Sequence, residues 1–306
     1  MFAIIVNPVA GGGDNAGLTE KIRLLLEARG EECLILTTKE NEDAALQVRG
    51  AIRRGCGSVA VVGGDGTLSE IAGELAGLPV TLYLVPCGTG NDFARALRLP
   101  QDPLHAFEAQ LDGTPRQIDC GLINGRVFLN VSGSGFDVEV LRKTEELKPV
   151  YPGEKAYHRA VLSVLGRYRA FEMEISVDGG AFRRERVTIV EIANGQCIGG
   201  GMRVAPRASV SDGLFDVVLV RTVPRLLIPL LLPLFMLGVH VCLPVARVVH
   251  ARSVTLRSPG MTVNIDGKLV RMQEARYEIL PGALRVMKPR RREEKRHFFP
   301  FRDEKE

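Results

Sequence analysis

Two aspartates lie inside glycine-rich turns of the kind that hold phosphate, where a lone carboxylate would be repelled. The segment Gly63-Gly64-Asp65-Gly66-Thr67 follows an apolar run, Ser58 to Val62, and opens a helical run, Leu68 to Leu75. A strand-to-helix turn aims backbone N–H groups and the positive helix end at one spot, and glycines let a phosphate approach closely. The loop is not a Walker A sequence, which needs Gly-Lys followed by Ser or Thr, nor a GxGxxG fingerprint. A divalent cation between Asp65 and phosphate would remove the conflict of charge, and magnesium is the usual choice in phosphoryl transfer.

Two further loops repeat the pattern. Asn7-Pro8-Val9-Ala10-Gly11-Gly12-Gly13 follows the run Phe2 to Val6, and Pro86-Cys87-Gly88-Thr89-Gly90-Asn91-Asp92-Phe93-Ala94-Arg95 follows Thr81 to Val85. One glycine-rich turn is usually plain loop geometry. Three of them at successive strand ends of a parallel sheet would converge on one crevice, because the carboxyl ends of such strands share an edge.

The elements that must position these loops are legible as a rhythm. Strand-like runs at Phe2 to Val6, Glu32 to Thr37, Ser58 to Val62 and Thr81 to Val85 alternate with helical spacing over Leu18 to Ala28 and Ala44 to Arg53. That predicts an α/β nucleotide-binding domain, a parallel sheet with crossover helices, over residues 1–118. From Asp119 the pattern changes to alternating segments: Arg126 to Val131, Phe171 to Val177, Val187 to Ala193, Leu214 to Arg221, Val254 to Leu256, Thr262 to Ile265 and Ala275 to Leu280. A β-rich antiparallel C-terminal domain over 119–288 is expected, with a hairpin turn at Asp178-Gly179-Gly180. A charged tail, 289–306, either packs back on the first domain or is disordered.

Composition narrows the class further. The 306 residues are 45% hydrophobic, enough for a sizeable core. Cys33, Cys56, Cys87, Cys120, Cys197 and Cys242 are scattered without metal-ligand spacing, which indicates neither a zinc site nor a disulfide framework and fits a reducing cytoplasm. The opening run lacks the basic flank and cleavage site of a signal peptide. A net charge of +4, mostly in the tail, argues against nucleic acid as partner. His105, His158, His240, His250 and His297 share no motif, and no Ser/His/Asp arrangement is evident.

Together, Asn-Pro-x-Ala-Gly at 7–11, Gly-Gly-Asp-Gly-Thr at 63–67 and Gly-Thr-Gly-Asn-Asp-Phe-Ala-Arg at 88–95 resemble the catalytic domain of diacylglycerol kinases, especially the short bacterial lipid kinases. Sphingosine kinases are more distant relatives. The resemblance runs to about residue 290. It implies ATP and magnesium as cofactors, with nucleotide contacts at Asn7, Pro8, Val9, Ala10, Gly11, Thr38, Gly63, Gly64, Asp65, Gly66, Thr67, Leu68, Ser69, Thr89, Asn91 and Asp92. Thr38 is included because Thr38-Lys39-Glu40 opens the segment after the second strand. The resemblance makes Asp65, Asp92 and Asp119 organisers of metal and phosphate. It also implies a second, structural magnesium held by the Asp212 side chain and the carbonyls of Ser209 and Leu214; the residues alone read as a Ser-Asp-Gly turn.

At Asn264-Ile265-Asp266-Gly267-Lys268 the chain departs from the family, whose turn usually reads Asp-Gly-Glu and supplies an acid to the acceptor hydroxyl. Asp266 is retained and is assigned the base role beside the catalytic Asp65, while Lys268 pairs with phosphate or with a neighbouring carboxylate. The implied reaction transfers the γ-phosphoryl of ATP to a lipid hydroxyl, with diacylglycerol the leading acceptor. The competing readings are a small-metabolite kinase of the NAD kinase type, which shares Gly-Gly-Asp-Gly-Thr, and a nucleotide-binding regulator that has lost chemistry at Lys268.

Between Arg225 and Arg247 no charged residue occurs. Length alone would allow a membrane span, but Pro229, Pro233, Pro244 and Gly238 interrupt it. The run reads instead as two short apolar elements that cover the acceptor cleft, dip into the membrane interface, or pack in the core, with Arg221, Arg225 and Arg247 near anionic headgroups. A cytoplasmic protein, peripheral at the inner face of the membrane and with a homodimer as its default assembly, is the resulting expectation.

Overall fold

In the computed structural model, which describes residues 1–38, 44–151 and 154–290, the first part of the chain alternates as its sequence predicts. Strand β1 (Phe2–Val6) leads to α1 (Asn15–Glu27), β2 (Cys33–Thr37), α2 (Ala44–Arg53), β3 (Ser58–Gly63), α3 (Asp65–Leu75), β4 (Thr81–Pro86), α4 (Asp92–Ala96) and α5 (Pro103–Leu111). β1, β3 and β4 are buried almost throughout, as parallel strands covered by helices on both faces must be. That burial is why they read as unbroken apolar runs. β2, at the sheet edge, is only partly covered.

Helix α1 is capped by Asp14, whose side chain accepts the Gly17 N–H, and α5 by Asp102 with Pro103 at its first turn. Gln110 of α5 is fully buried and acts as a substitute strand. Its Oε1 accepts the Leu84 N–H at 2.9 Å and its Nε2 donates to the Leu84 carbonyl at 2.7 Å.

The second part continues with β5 (Thr114–Ile123), β6 (Arg126–Phe128), β7 (Val131–Gly135), α6 (Phe136–Leu147), α7 (Glu154–Arg167), β8 (Phe171–Val177), β9 (Arg183–Ala193) and β10 (Phe215–Arg221). It closes with α8 (Ile228–Met236), β11 (Ala246–Ala251), β12 (Ser253–Ile265) and β13 (Lys268–Lys288). Pairing among β7 to β12 is antiparallel, and β8 turns into β9 through Asp178 and Gly179 at φ +47° and +70°, the left-handed pair of a type I′ hairpin. Two expected strands, at 254–256 and 262–265, are one long β12, bulged between Arg257 and Met261.

Helices α6 and α7 are not in the sequence reading. Val138 and Val140 alternate with acidic residues as in a strand, yet Gly135 turns the chain at φ +150° and both valines are buried residues of a helix.

Strand β13 links the two parts. Its first half pairs with β12, its centre bulges at Pro281-Gly282-Ala283, and its end runs along β5 and parallel to β4, with Arg285 opposite Thr81. The spatial order is β11-β10-β9-β7-β12-β13-β4-β3-β1-β2, so the strand-end loops of the first sheet face the β12–β13 turn of the second. Apolar clusters flank both halves, with Ile71, Leu75, Leu82 and Leu97 on one side and Phe128, Phe215 and Leu256 on the other. Each such fully buried side chain contributes about 1.5–3 kcal/mol.

The apolar run is neither a span nor a wholly buried segment. A short 3-10 turn (Arg225–Leu227), α8 and a second turn (Val239–Cys242) form a compact projection, and among the described residues no helix is long and apolar enough to cross a membrane. Ile228, Phe235 and His240 face inward, with the His240 ring 4.4 Å from Phe235. Leu226, Leu230 and Leu237 stay 92%, 70% and 67% exposed. Residues 291–306 of the tail lie outside the described residues.

Candidate active site

Three glycine loops meet at the carboxyl edge of the first sheet. Asn7, leaving β1, donates from Nδ2 to the Thr67 hydroxyl at 2.9 Å, tying the first loop to the second. Gly11, at φ +68°, passes so close to the third loop that a Cβ would lie 1.8 Å from the Cys87 carbonyl oxygen. A Cβ on Gly88 would lie 2.6 Å from Gly64 Cα, so the second and third loops touch backbone to backbone. Thr38, at the end of β2, turns its hydroxyl back to the Val6 carbonyl at 3.3 Å. The sequence-predicted contacts in these loops are therefore neighbours in space, with Pro8, Val9 and Thr89 exposed at the rim.

Asp65 begins α3 and reaches across to α4, its Oδ2 and Oδ1 accepting the N–H groups of Asp92 at 3.1 Å and Phe93 at 3.2 Å. Asp92 is buried. Its Oδ2 accepts the Gly200 N–H at 2.9 Å, while its Oδ1 has neither solvent nor a donor. Both Oδ2 atoms flank Gly90, where a Cβ would lie 3.1 Å from that of Asp65 and 3.3 Å from that of Asp92. Burial pushes the Asp92 carboxyl up, the Gly200 amide pulls against this, and the charge of Asp65 pushes it further up. A bare, buried carboxylate oxygen beside a second carboxylate fits an oxygen-liganded divalent cation of the magnesium kind.

Asn91 is more loop clamp than ligand. In left-handed conformation, it accepts the Gly88 N–H and donates to the Gly88 carbonyl, both at 2.8 Å, closing the loop on itself.

The base role expected of Asp266 does not suit its geometry. Its carboxylate accepts the N–H groups of Leu129 at 2.7 Å, Asn130 at 3.0 Å and Val131 at 3.2 Å, and the Ser69 hydroxyl at 2.9 Å. Four donors meet about four lone-pair sites, which leaves none for a substrate proton. Burial raises this carboxyl, and the Leu129, Asn130 and Ser69 donors oppose the rise.

Asp119, expected beside Asp65 and Asp92, instead accepts the Gly282 N–H at 2.8 Å on Oδ1 and the Gly213 N–H at 2.7 Å on Oδ2. It fastens the bulge of β13 to the loop before β10. Asp212 in that loop is exposed and accepts the Leu214 N–H at 3.2 Å, the turn its residues read as; Ser209 lies in the same loop. Among the described residues, no three His, Cys, Asp or Glu side chains gather to hold a metal.

Two features escaped sequence reasoning. Gly199-Gly200-Gly201, all at positive φ, brings a second-part backbone amide onto Asp92 across 108 positions; the glycine triplet itself was the available signal. Glu191, on β9, is fully buried near Asp137 at the start of α6, and neither of its oxygens nor Asp137 Oδ1 has a hydrogen-bond partner among the described residues. Burial, then the charge of Asp137, holds Glu191 well above the usual carboxylate range. A raised folded pKa makes this glutamate lose stability as pH rises from its unfolded value toward the folded one. Glu191→Gln keeps the shape of the side chain and removes that ionisation. Its melting temperature should exceed that of the unsubstituted chain by about 2–4 °C at pH 8, with the difference shrinking toward pH 5, in scanning calorimetry at both pH values.

A parallel sheet presenting three glycine-rich loops and a carboxylate pair to an antiparallel β domain has the layout of a nucleotide-dependent phosphotransferase. Residues 1–123 match the diacylglycerol kinase catalytic domain, and residues 130–288 match the YegS C-terminal NAD kinase beta sandwich-like domain. The chain is 31% identical over 292 residues to the diacylglycerol kinase of Mycobacterium tuberculosis, covering 94% of each. It is 36% identical over 286 residues to a "Probable lipid kinase YegS-like" of Pseudomonas aeruginosa, covering 90% of this chain and 92% of the other. The crystal structure of a diacylglycerol kinase from Bacillus anthracis superposes with a TM-score of 0.71 at 24% identity, covering 94% and 96%, a likeness of fold. The chain belongs to the diacylglycerol kinase catalytic-domain family.

Proposed function

We propose that this chain is an ATP-dependent lipid kinase that transfers the γ-phosphoryl group of ATP to the hydroxyl of diacylglycerol, giving phosphatidic acid. The observation that carries the reading is the Asp65–Asp92 pair at the junction of the three loops, with Asp92 Oδ1 bare and buried. The loop N–H groups bind phosphate oxygens and hold the chain of phosphates in line, which is most of what a loose phosphoryl-transfer transition state requires. Asp92 and Asp65 would hold magnesium, which when bound neutralises charge on the phosphates. Each Asp65 oxygen accepts one N–H and keeps a lone pair, so Asp65 orients the acceptor hydroxyl and takes its proton. Asp266 positions Ser69 and the 129–131 backbone instead.

The test is transfer of labelled γ-phosphate from Mg-ATP into lipids in mixed micelles. Label in diacylglycerol supports the reading; label in NAD but in no lipid would favour a small-metabolite kinase. ATP binding without any transfer would favour a regulator.

The acceptor reaches the site from a bilayer, and the exposed leucines of the 225–242 projection are its contact, with Arg225 beside them. A Leu226→Asp, Leu230→Asp, Leu237→Asp variant changes no inward-facing residue. It should lose about tenfold or more of its binding to vesicles of phosphatidylglycerol and phosphatidylcholine in flotation. Unchanged flotation would remove this surface as the contact.

A further inference from the structure

The β12–β13 turn touches the phosphate-binding helix at two adjacent points. Ser69 of α3 donates to Asp266, and the neighbouring residue, Glu70, pairs with the Lys268 ammonium. Both contacts join segments about two hundred positions apart, 197 and 198. The Lys268 and Glu70 side chains are 42% and 35% exposed, so the pair sits at the open rim of the site.

We infer that Lys268 and Glu70 form a clasp that sets the alignment of the nucleotide loop of α3 against the acceptor side of the site, and that Lys268 is a positioning residue for transfer. The inference rests on the kinase reading. Lysine here is the counter-charge of Glu70, so the acid that is usual at this place in the family would set two carboxylates against each other next to Asp266. Restoring that acid is therefore expected to damage the enzyme.

Asp266 holds the turn through backbone donors that no change at 268 removes, so substitutions at the clasp leave the turn itself anchored. The clasp fixes only how the turn and α3 face each other. Its loss lowers the fraction of bound substrates that are in line, which acts on kcat, while the three loops stay tied to one another through Asn7–Thr67, Gly11–Cys87 and Gly64–Gly88, so nucleotide affinity is largely kept.

The experiment is a charge-swap cycle with the full chain, using diacylglycerol in mixed micelles and Mg-ATP at a temperature where every variant is folded. Lys268→Met should lower kcat about threefold and Lys268→Glu about tenfold or more, with the KM for ATP within about twofold of the starting value. Glu70→Lys alone should behave like Lys268→Glu. The double variant Glu70→Lys, Lys268→Glu should return kcat to within about twofold of the starting value. A gain of activity in Lys268→Glu, or a double variant no better than the worse single one, would overturn the clasp. Were the unsubstituted chain to phosphorylate no lipid, the proposed function would fall. The clasp would still be read from melting temperatures, where the swap must recover what the single reversals lose, and additive losses would overturn it.

Discussion

Asp65→Asn should lower γ-phosphoryl transfer to diacylglycerol by about a thousandfold, while leaving the melting temperature nearly unchanged. The amide keeps one oxygen to accept the Asp92 or Phe93 N–H, so the cap on α4 is weakened and not erased. What disappears is the negative charge beside Asp92 and the group that takes the acceptor proton. The substitution also removes a charge that pushes the Asp92 carboxyl up, so Asp92 should titrate lower in the variant. Labelled phosphate in extracted lipid is the measurement of activity, and scanning calorimetry checks the fold. Activity within tenfold of the unsubstituted chain would mean that Asp65 only caps a helix.

Gly11→Ala should separate the nucleotide loops. The residue is left-handed at φ +68°, which costs an alanine about 1–2 kcal/mol. Its new Cβ would also lie 1.8 Å from the Cys87 carbonyl oxygen, a backbone atom that moves only if the third loop moves. Overpacking of this kind adds about 1–3 kcal/mol. Gly12 is the matched control, since it has the same φ of +68° and open space where a Cβ would go. Mg-ATP affinity measured by calorimetry should therefore fall at least about tenfold in Gly11→Ala and only about twofold in Gly12→Ala. Equal losses in both would show that strain alone matters and that the contact between the loops does not.

Much of the first sheet was legible because its signals are local. Ala3, Ile4 and Ile5 are apolar in succession because both faces of β1 are covered, and the runs Leu18 to Ala28 and Ala44 to Arg53 carry their helical spacing within a few turns. The second part was legible as strands but not as helices. The Val138-x-Val140 alternation in α6 imitates a strand, and only burial against β7 and β9 makes it helical.

By itself the sequence determined the kind of chemistry. Glycine loops after strands, with Asp65 and Asp92 inside them, have the backbone conformation suited to phosphate, which depends on neighbouring residues. The tertiary structure alone decided what each acid does. Asp266 is filled by donors from residues 69 and 129–131, Asp119 accepts the amides of Gly213 and Gly282, and Lys268 pairs with Glu70. Asp92 keeps one oxygen bare because Gly200 satisfies only the other. A carboxylate's role follows from the donors around it, and here these come from segments tens to almost two hundred positions away, brought together by strand order and by the course of β13. No local pattern encodes that meeting, because it is fixed by which strands pair along the sheet and by the bulged course of β13.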